Sequence, residues 1–130
     1  MSGPLPVTRA ASWTGIILGV LPCLMLGFSA AMKFTQPEGV PEHFAELGWT
    51  PAGMVWLGVL EVACTVLYLV PRLAVLGAIL LTGYLGGGIA AHVRIGDYAT
   101  VLFPFLLGVL LWGGLFLRDP RLPALIPLRQ

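Results

Sequence analysis

The chain has 130 residues, of which 58% are apolar and only 10% charged, with a net charge of +1 and a mean hydropathy of +0.93. Soluble domains carry about 25% charged residues, and so little polar surface cannot cover a water-facing ball of this size. The near-neutral balance also excludes the basic stripe that a nucleic-acid partner requires, so the expected partner is the lipid bilayer.

Met1 to Ala11, with Arg9 and two prolines, reads as a short lead-in. Trp13 to Met32 then runs without a charge, long enough at about 1.5 Å per residue to cross a ~30 Å hydrocarbon core. Its rival reading is a cleaved signal peptide, with Arg9 as the basic region and Ser29-Ala30-Ala31 as a small-residue cleavage site. The span reading is preferred, because the run is long for a signal and the later helices need a fourth to pair with. Pro22 is expected to kink this span, which membrane bundles accommodate when neighbours satisfy the freed carbonyl.

Residues 34–50 are the one long polar connection. Within them Pro41 to Leu47 predicts a short interfacial helix, with proline at its first position. Phe44 and Leu47 fall on one face and Glu42 and Glu46 on another, with Trp49 at the headgroup level. The segment reads as a lid lying on the membrane surface, its His43 solvated.

Residues 51–70 form the second expected span, interrupted by one acid, Glu61. Pro71-Arg72 turns tightly into the third, 73–93; Arg94 to Tyr98 turns again into the fourth, 99–117. The tail, 118–130, alternates proline with apolar residues and reads as extended. The expectation is thus a single all-α integral membrane domain over 1–130: an antiparallel bundle of four transmembrane helices plus the interfacial helix. Four spans place both termini on one side, where Arg9, Arg72, Arg118, Arg121 and Arg129 outnumber Lys33 and Arg94 on the other. The positive-inside rule makes that side cytoplasmic. Gly15-x-x-x-Gly19 and Gly83-x-x-x-Gly87 offer small-residue faces for close helix packing.

Glu61 is the sharpest chemical signal. It lies ten residues from Pro51, so about 15 Å into the membrane. An acid at that depth must face the bundle interior. It is either a proton-handling or ligand-binding group, or a neutral structural acid hydrogen-bonded between helices. Thr65 and Tyr68 share its face, and Tyr84 on the third span reaches a similar depth, which makes a Glu61–Tyr84 hydrogen bond feasible. His92 sits a turn below the outer surface, where its imidazole can pass a proton or simply close a helix end. Lys33 and Arg94 at that level either snorkel or hold an anionic or carbonyl-bearing ligand. Glu61, Tyr84, His92, Lys33 and Arg94 are therefore the ligand-binding candidates; no residue is assigned a catalytic role. Cys23 and Cys64 stand alone in apolar runs and read as small buried hydrophobes, with neither a thiol–disulfide centre nor a metal site expected.

Five short motifs in this order and spacing resemble the DoxX-like family of small membrane proteins. They are Phe28-Ser-Ala-Ala-Met-Lys-Phe34, Phe44-x-x-Leu-Gly-Trp49, Leu60-Glu61, Gly83-Tyr84 and Ala91-His92-Val-Arg94-x-Gly-Asp97. The resemblance covers nearly the whole chain and implies a four-span bundle in the bacterial cytoplasmic membrane. Some members are similar to the membrane subunit of a thiosulfate:quinone oxidoreductase, others are implicated in redox homeostasis or detoxification, and distant ones act as membrane assembly factors. The architecture is also similar to that of vitamin K epoxide reductase, but the cysteine pair which does that chemistry is missing here.

The expected function is therefore binding of a quinone or other small apolar molecule in an outward-open pocket, as part of a membrane redox or detoxification system with a partner protein. That leaves a subunit of a quinone-linked oxidoreductase open. The alternatives are a non-enzymatic assembly subunit and, more weakly, a small-molecule transporter, for which one four-span unit lacks an inverted repeat unless it forms a homodimer.

Overall fold

The computed structural model describes residues 7–125. Helix α1 (Arg9–Thr35) starts where the Thr8 hydroxyl accepts the Ala11 N–H at 3.1 Å, satisfying one of the orphan donors of a first turn. It continues through a buried Pro22 and stops at Gln36, which turns into the left-handed region (φ 48°) while its N–H still reaches the Met32 carbonyl. The helix is longer at both ends than the predicted span, because neither Arg9 nor Lys33 opposes helix geometry.

The lid holds α2 (Val40–Glu46), with proline in its first turn and Glu42 and Glu46 exposed. Leu47 behind it is buried and Phe44 half-buried. Thr50 caps α3 (Pro51–Leu69) through the Gly53 N–H at 3.0 Å. Pro71 then ends the helix, since it removes a donor and disfavours helical geometry before it. A single 3-10 turn, Pro71–Leu73, leads into α4 (Ala74–Arg94). The last long helix, α5 (Leu102–Arg118), starts later than expected, because residues 97–101 form a turn closed by Asp97.

The tail does not run extended from Arg118. Asp119 accepts from the Arg121 backbone N–H at 3.0 Å and from its guanidinium at 2.8 Å, and the chain folds into a 3-10 turn, Leu122–Ala124, that buries Leu122. Proline fits the opening positions of such a turn as readily as an extended strand. Residues 126–130, with Arg129, and residues 1–6 of the lead-in lie outside the described residues.

The described residues form helices and no strands. Helices α1 and α3, and the segment Pro71–Arg94, are long and apolar enough to cross a membrane; α5 is a shorter apolar helix. Each of α1 and α4 packs against both α3 and α5, which closes a ring of four. Opposed contacts fix the directions. Gly19 of α1 meets Tyr68 of α3 at one end, and Phe34 meets Gly58 at the other. Leu26, Tyr68, Leu81 and Leu111, one from each long helix, fill the core between them.

At the end carrying Arg9 and Arg118, glycine sets the spacing. A Cβ on Gly77 would run into the Tyr68 backbone, and one on Gly114 would lie 2.7 Å from the Gly15 carbonyl oxygen. The Gly15/Gly19 face therefore packs as the sequence predicts. The Tyr68 hydroxyl donates to the Leu111 carbonyl at 2.6 Å, with the Arg118 guanidinium 4.9 Å from its ring centroid.

Candidate functional site

At the other end, beneath the lid, the ring opens into a cavity of about 440 Å³, within the range of small-molecule sites. Its wall is mostly apolar, with Leu26, Leu57 and Leu107 among the lining residues. Gly83, Gly87 and Gly88 of α4 also line it, and a Cβ on any of them would meet nothing within 4 Å. This corrects the expectation for Gly83-x-x-x-Gly87. That pair is no helix-packing face; the missing side chains make the volume.

Glu61 and Lys33 form the polar part of the wall. Lys33 Nζ lies 2.8 Å from Glu61 Oε2 and 2.6 Å from Ser29 Oγ, and the Ser29 hydroxyl donates onward to Glu61 Oε2 at 3.4 Å. Lys33 is 5% exposed and Glu61 1%, so the pair is held out of water and must be matched internally. Phe44 and Tyr84 complete the match, their ring centroids 5.6 and 5.8 Å from the ammonium, as a cation over ring faces requires.

The sequence reading set Lys33 at the rim and Glu61 deep. They meet because a helical side chain points back toward its own N-terminus, which carries the ammonium down a turn onto Ser29. The sequence makes a Glu61–Tyr84 hydrogen bond feasible. Both residues line the cavity, and the Tyr84 ring faces the Lys33 ammonium that pairs with that carboxylate. Thr65 Oγ1 donates to the Glu61 backbone carbonyl at 2.7 Å. Glu61, Thr65 and Tyr68 are all buried along one face of α3, as their spacing predicts.

His92 lines the mouth. Its Nδ1 lies 2.8 Å from the Gly88 carbonyl oxygen; a carbonyl only accepts, so Nδ1 carries the proton of that bond. Among the described residues, two buried polar atoms in the cavity wall have no partner: Glu61 Oε1 and His92 Nε2. His43, expected to be merely solvated, is exposed but holds its ring 5.9 Å from that of His92. No sequence spacing signals this contact, because it depends on how the lid folds back.

Arg94 does not line the cavity. Its guanidinium donates to the Leu47 carbonyl at 2.6 Å, strapping the end of the lid to α4. Gly48 makes room for the strap: its φ is +90°, and a Cβ there would lie 2.8 Å from the guanidinium. Asp97 accepts from Thr100 Oγ1 at 2.6 Å and from its N–H at 3.3 Å. Those bonds hold its carboxyl below the usual range, with His92 and His43 adding a smaller pull.

A second groove, of about 630 Å³, runs outside α1 beneath the lid, lined by Leu24 and Phe28. Ser29, Lys33, Phe44 and Phe103 belong to the walls of both spaces. No group of three or more metal-ligating side chains occurs among the described residues, and both cysteines are free and buried.

This polar pair inside apolar helices, beneath a strapped lid, sits within the region that matches a known sequence family. The pattern of the DoxX-like family fits residues 17–114. The chain belongs to the DoxX-like family. The matched region runs from the first turns of α1 to Gly114 and so includes the whole cavity wall. With its long apolar helices, the DoxX-like chain is a membrane protein. No curated protein and no solved structure matches it.

Proposed function

We propose that this DoxX-like chain binds a small apolar molecule of the quinone type in the cavity beneath its lid, as one component of a membrane redox or detoxification system with a partner protein. The observation that carries this reading is Glu61. It is a carboxylate 1% exposed, paired on one oxygen, and left without a partner among the described residues on the other, in the wall of a mostly apolar space. Such a group costs several kcal/mol to keep within a membrane, and intramembrane acids mark ligand or proton sites by default.

In this reading all four long helices span the bilayer as an antiparallel bundle. The 17 residues of α5 cover about 25 Å, and the turn before it completes the crossing. Arg9, Arg72, Arg118 and Arg121 gather at one end, whereas Lys33 and Arg94 at the other are both engaged. The positive-inside rule then places both termini in the cytoplasm of a bacterium and the cavity mouth on the outer side. The outer groove gives an apolar ligand a route from the lipid to the walls it shares with the cavity. Glu61, Lys33, Tyr84 and His92 are the contact residues; Arg94 acts by holding the lid.

Organic extraction of protein purified in native lipid, followed by mass spectrometry, tests this. One dominant apolar compound is expected at near-stoichiometric yield, reduced in Glu61→Gln. An equal, substoichiometric background in both proteins would instead favour an assembly subunit whose surface matters.

A further inference from the structure

We propose that the occupant of the cavity brings its own hydrogen-bond donors, and that Glu61 Oε1 and His92 Nε2 accept from them. This rests on the cavity being a binding site and goes on to name the chemistry of what it takes: an apolar molecule bearing hydroxyl or N–H groups, and within the quinone class the hydroquinone form.

Lys33 has three N–H groups. One points to Ser29 Oγ, one to Glu61 Oε2, and the remaining charge faces the Phe44 and Tyr84 rings. Accepting from Lys33 leaves Ser29 free to donate its own proton, which goes to Glu61 Oε2. Tyr84 meets the ammonium with its ring face. Arg94 spends its guanidinium on the Leu47 carbonyl, outside the wall. The cationic groups that the sequence offers to a carbonyl ligand are thus already committed.

What remains buried and unmatched is of the opposite kind. Glu61 Oε1, on a side chain fully withdrawn from solvent, is a carboxylate oxygen. His92 Nε2 is an acceptor in the neutral ring, because Nδ1 holds the proton donated to Gly88. A ligand with carbonyls alone would set lone pairs against these lone pairs and leave both buried acceptors unsatisfied. A dihydroxy ring resolves both. Tyr84, which shares the Lys33 ammonium with Glu61, lies eight residues from His92 along α4, about 12 Å of helix, so Glu61 is deep and His92 at the mouth. Such spacing suits a molecule with polar groups at two ends of an apolar body.

The test uses the full chain in nanodiscs and two probes of one skeleton, tert-butylhydroquinone and its dimethyl ether, with binding corrected for uptake by empty nanodiscs. The diol is expected to bind about a hundredfold more tightly, the worth of two well-made hydrogen bonds at about tenfold each. That ratio should fall to about tenfold, the loss of one of the two bonds, in His92→Phe and in the joint replacement Lys33→Met with Glu61→Met, which leaves no charge unpaired, and to within about twofold when all three are replaced. Equal binding of diol and ether by the unaltered protein overturns the donor requirement while leaving the cavity a binding site. A preference undiminished in either variant overturns the assignment of the acceptor removed there. Binding of neither probe above empty nanodiscs removes the binding reading itself, and this inference with it.

Discussion

At the end of the bundle near Arg9 and Arg118, Gly15, Gly77 and Gly114 let helix backbones touch, whereas beneath the lid Gly83, Gly87 and Gly88 stand where nothing touches them. Both sets look alike in sequence, as small residues in apolar helices. At the first end, glycine removes a Cβ that would collide with a neighbour, and the helices associate through close van der Waals contact. At the second, the missing Cβ atoms add to an open volume faced by a buried ion pair. One end supplies rigidity and the other supplies space, so the polar pair is held by helices that cannot collapse onto it.

The contrast can be broken most severely at the pair itself. Lys33→Met leaves Glu61 buried and uncompensated and should cost about 3–5 kcal/mol, whereas replacing both residues with methionine should cost far less. Unfolding in detergent micelles measures both; equal losses would show that the pairing contributes nothing. Next come the two sets of glycines. Gly77→Ala forces the Tyr68 backbone aside and should cost about 1–3 kcal/mol as an overpacked contact, while Gly87→Ala should stay within about 0.5 kcal/mol. The same unfolding assay would contradict the division if the two alanines cost the same.

A smaller effect is expected at the lid strap. Arg94→Gln removes the charged donor to the Leu47 carbonyl, worth about 1 kcal/mol at an exposed position. Amide exchange in the lid should rise severalfold while exchange in the middle of α3 stays unchanged. Uniform acceleration across both would mean that Arg94 supports the whole bundle instead.

The smallest effect concerns the turn into α5. The Thr100 hydrogen bonds lower the folded pKa of Asp97 relative to its unfolded value. The stabilisation is therefore present above the ordinary aspartate range of about 4 and is lost as pH falls through the lower, folded value. Exchange of the Thr100 amide should speed up only on strong acidification, and Asp97→Ala should abolish that pH dependence. A loss already complete near neutrality would contradict the assignment.

Much of this architecture is legible in the sequence, for a physical reason. An uncharged run of spanning length declares itself by composition, and a single acid inside one must face inward, so the long helices and the burial of Glu61 follow directly. The Lys33–Glu61 pair does not, because span-end lysines ordinarily snorkel outward and only the backward lean of the side chain brings the ammonium onto Ser29. The roles of Gly83 and Gly87 are hidden for a related reason. Spacing shows that two glycines share a face, but not whether a neighbouring helix reaches it. Arg94 and His43 depend on the lid folding back over α4, a long-range contact that no local pattern encodes.

The proposed occupant of the space left by the α4 glycines is an apolar molecule held at Glu61. The most direct measurement is the amount of ligand extracted per mole of protein from the unaltered chain and from Gly87→Leu, with unfolding midpoints recorded on the same samples. Loss of the dominant compound from Gly87→Leu at an unchanged midpoint is the predicted result. Equal recovery of that compound from both proteins, at unchanged midpoints, would contradict it.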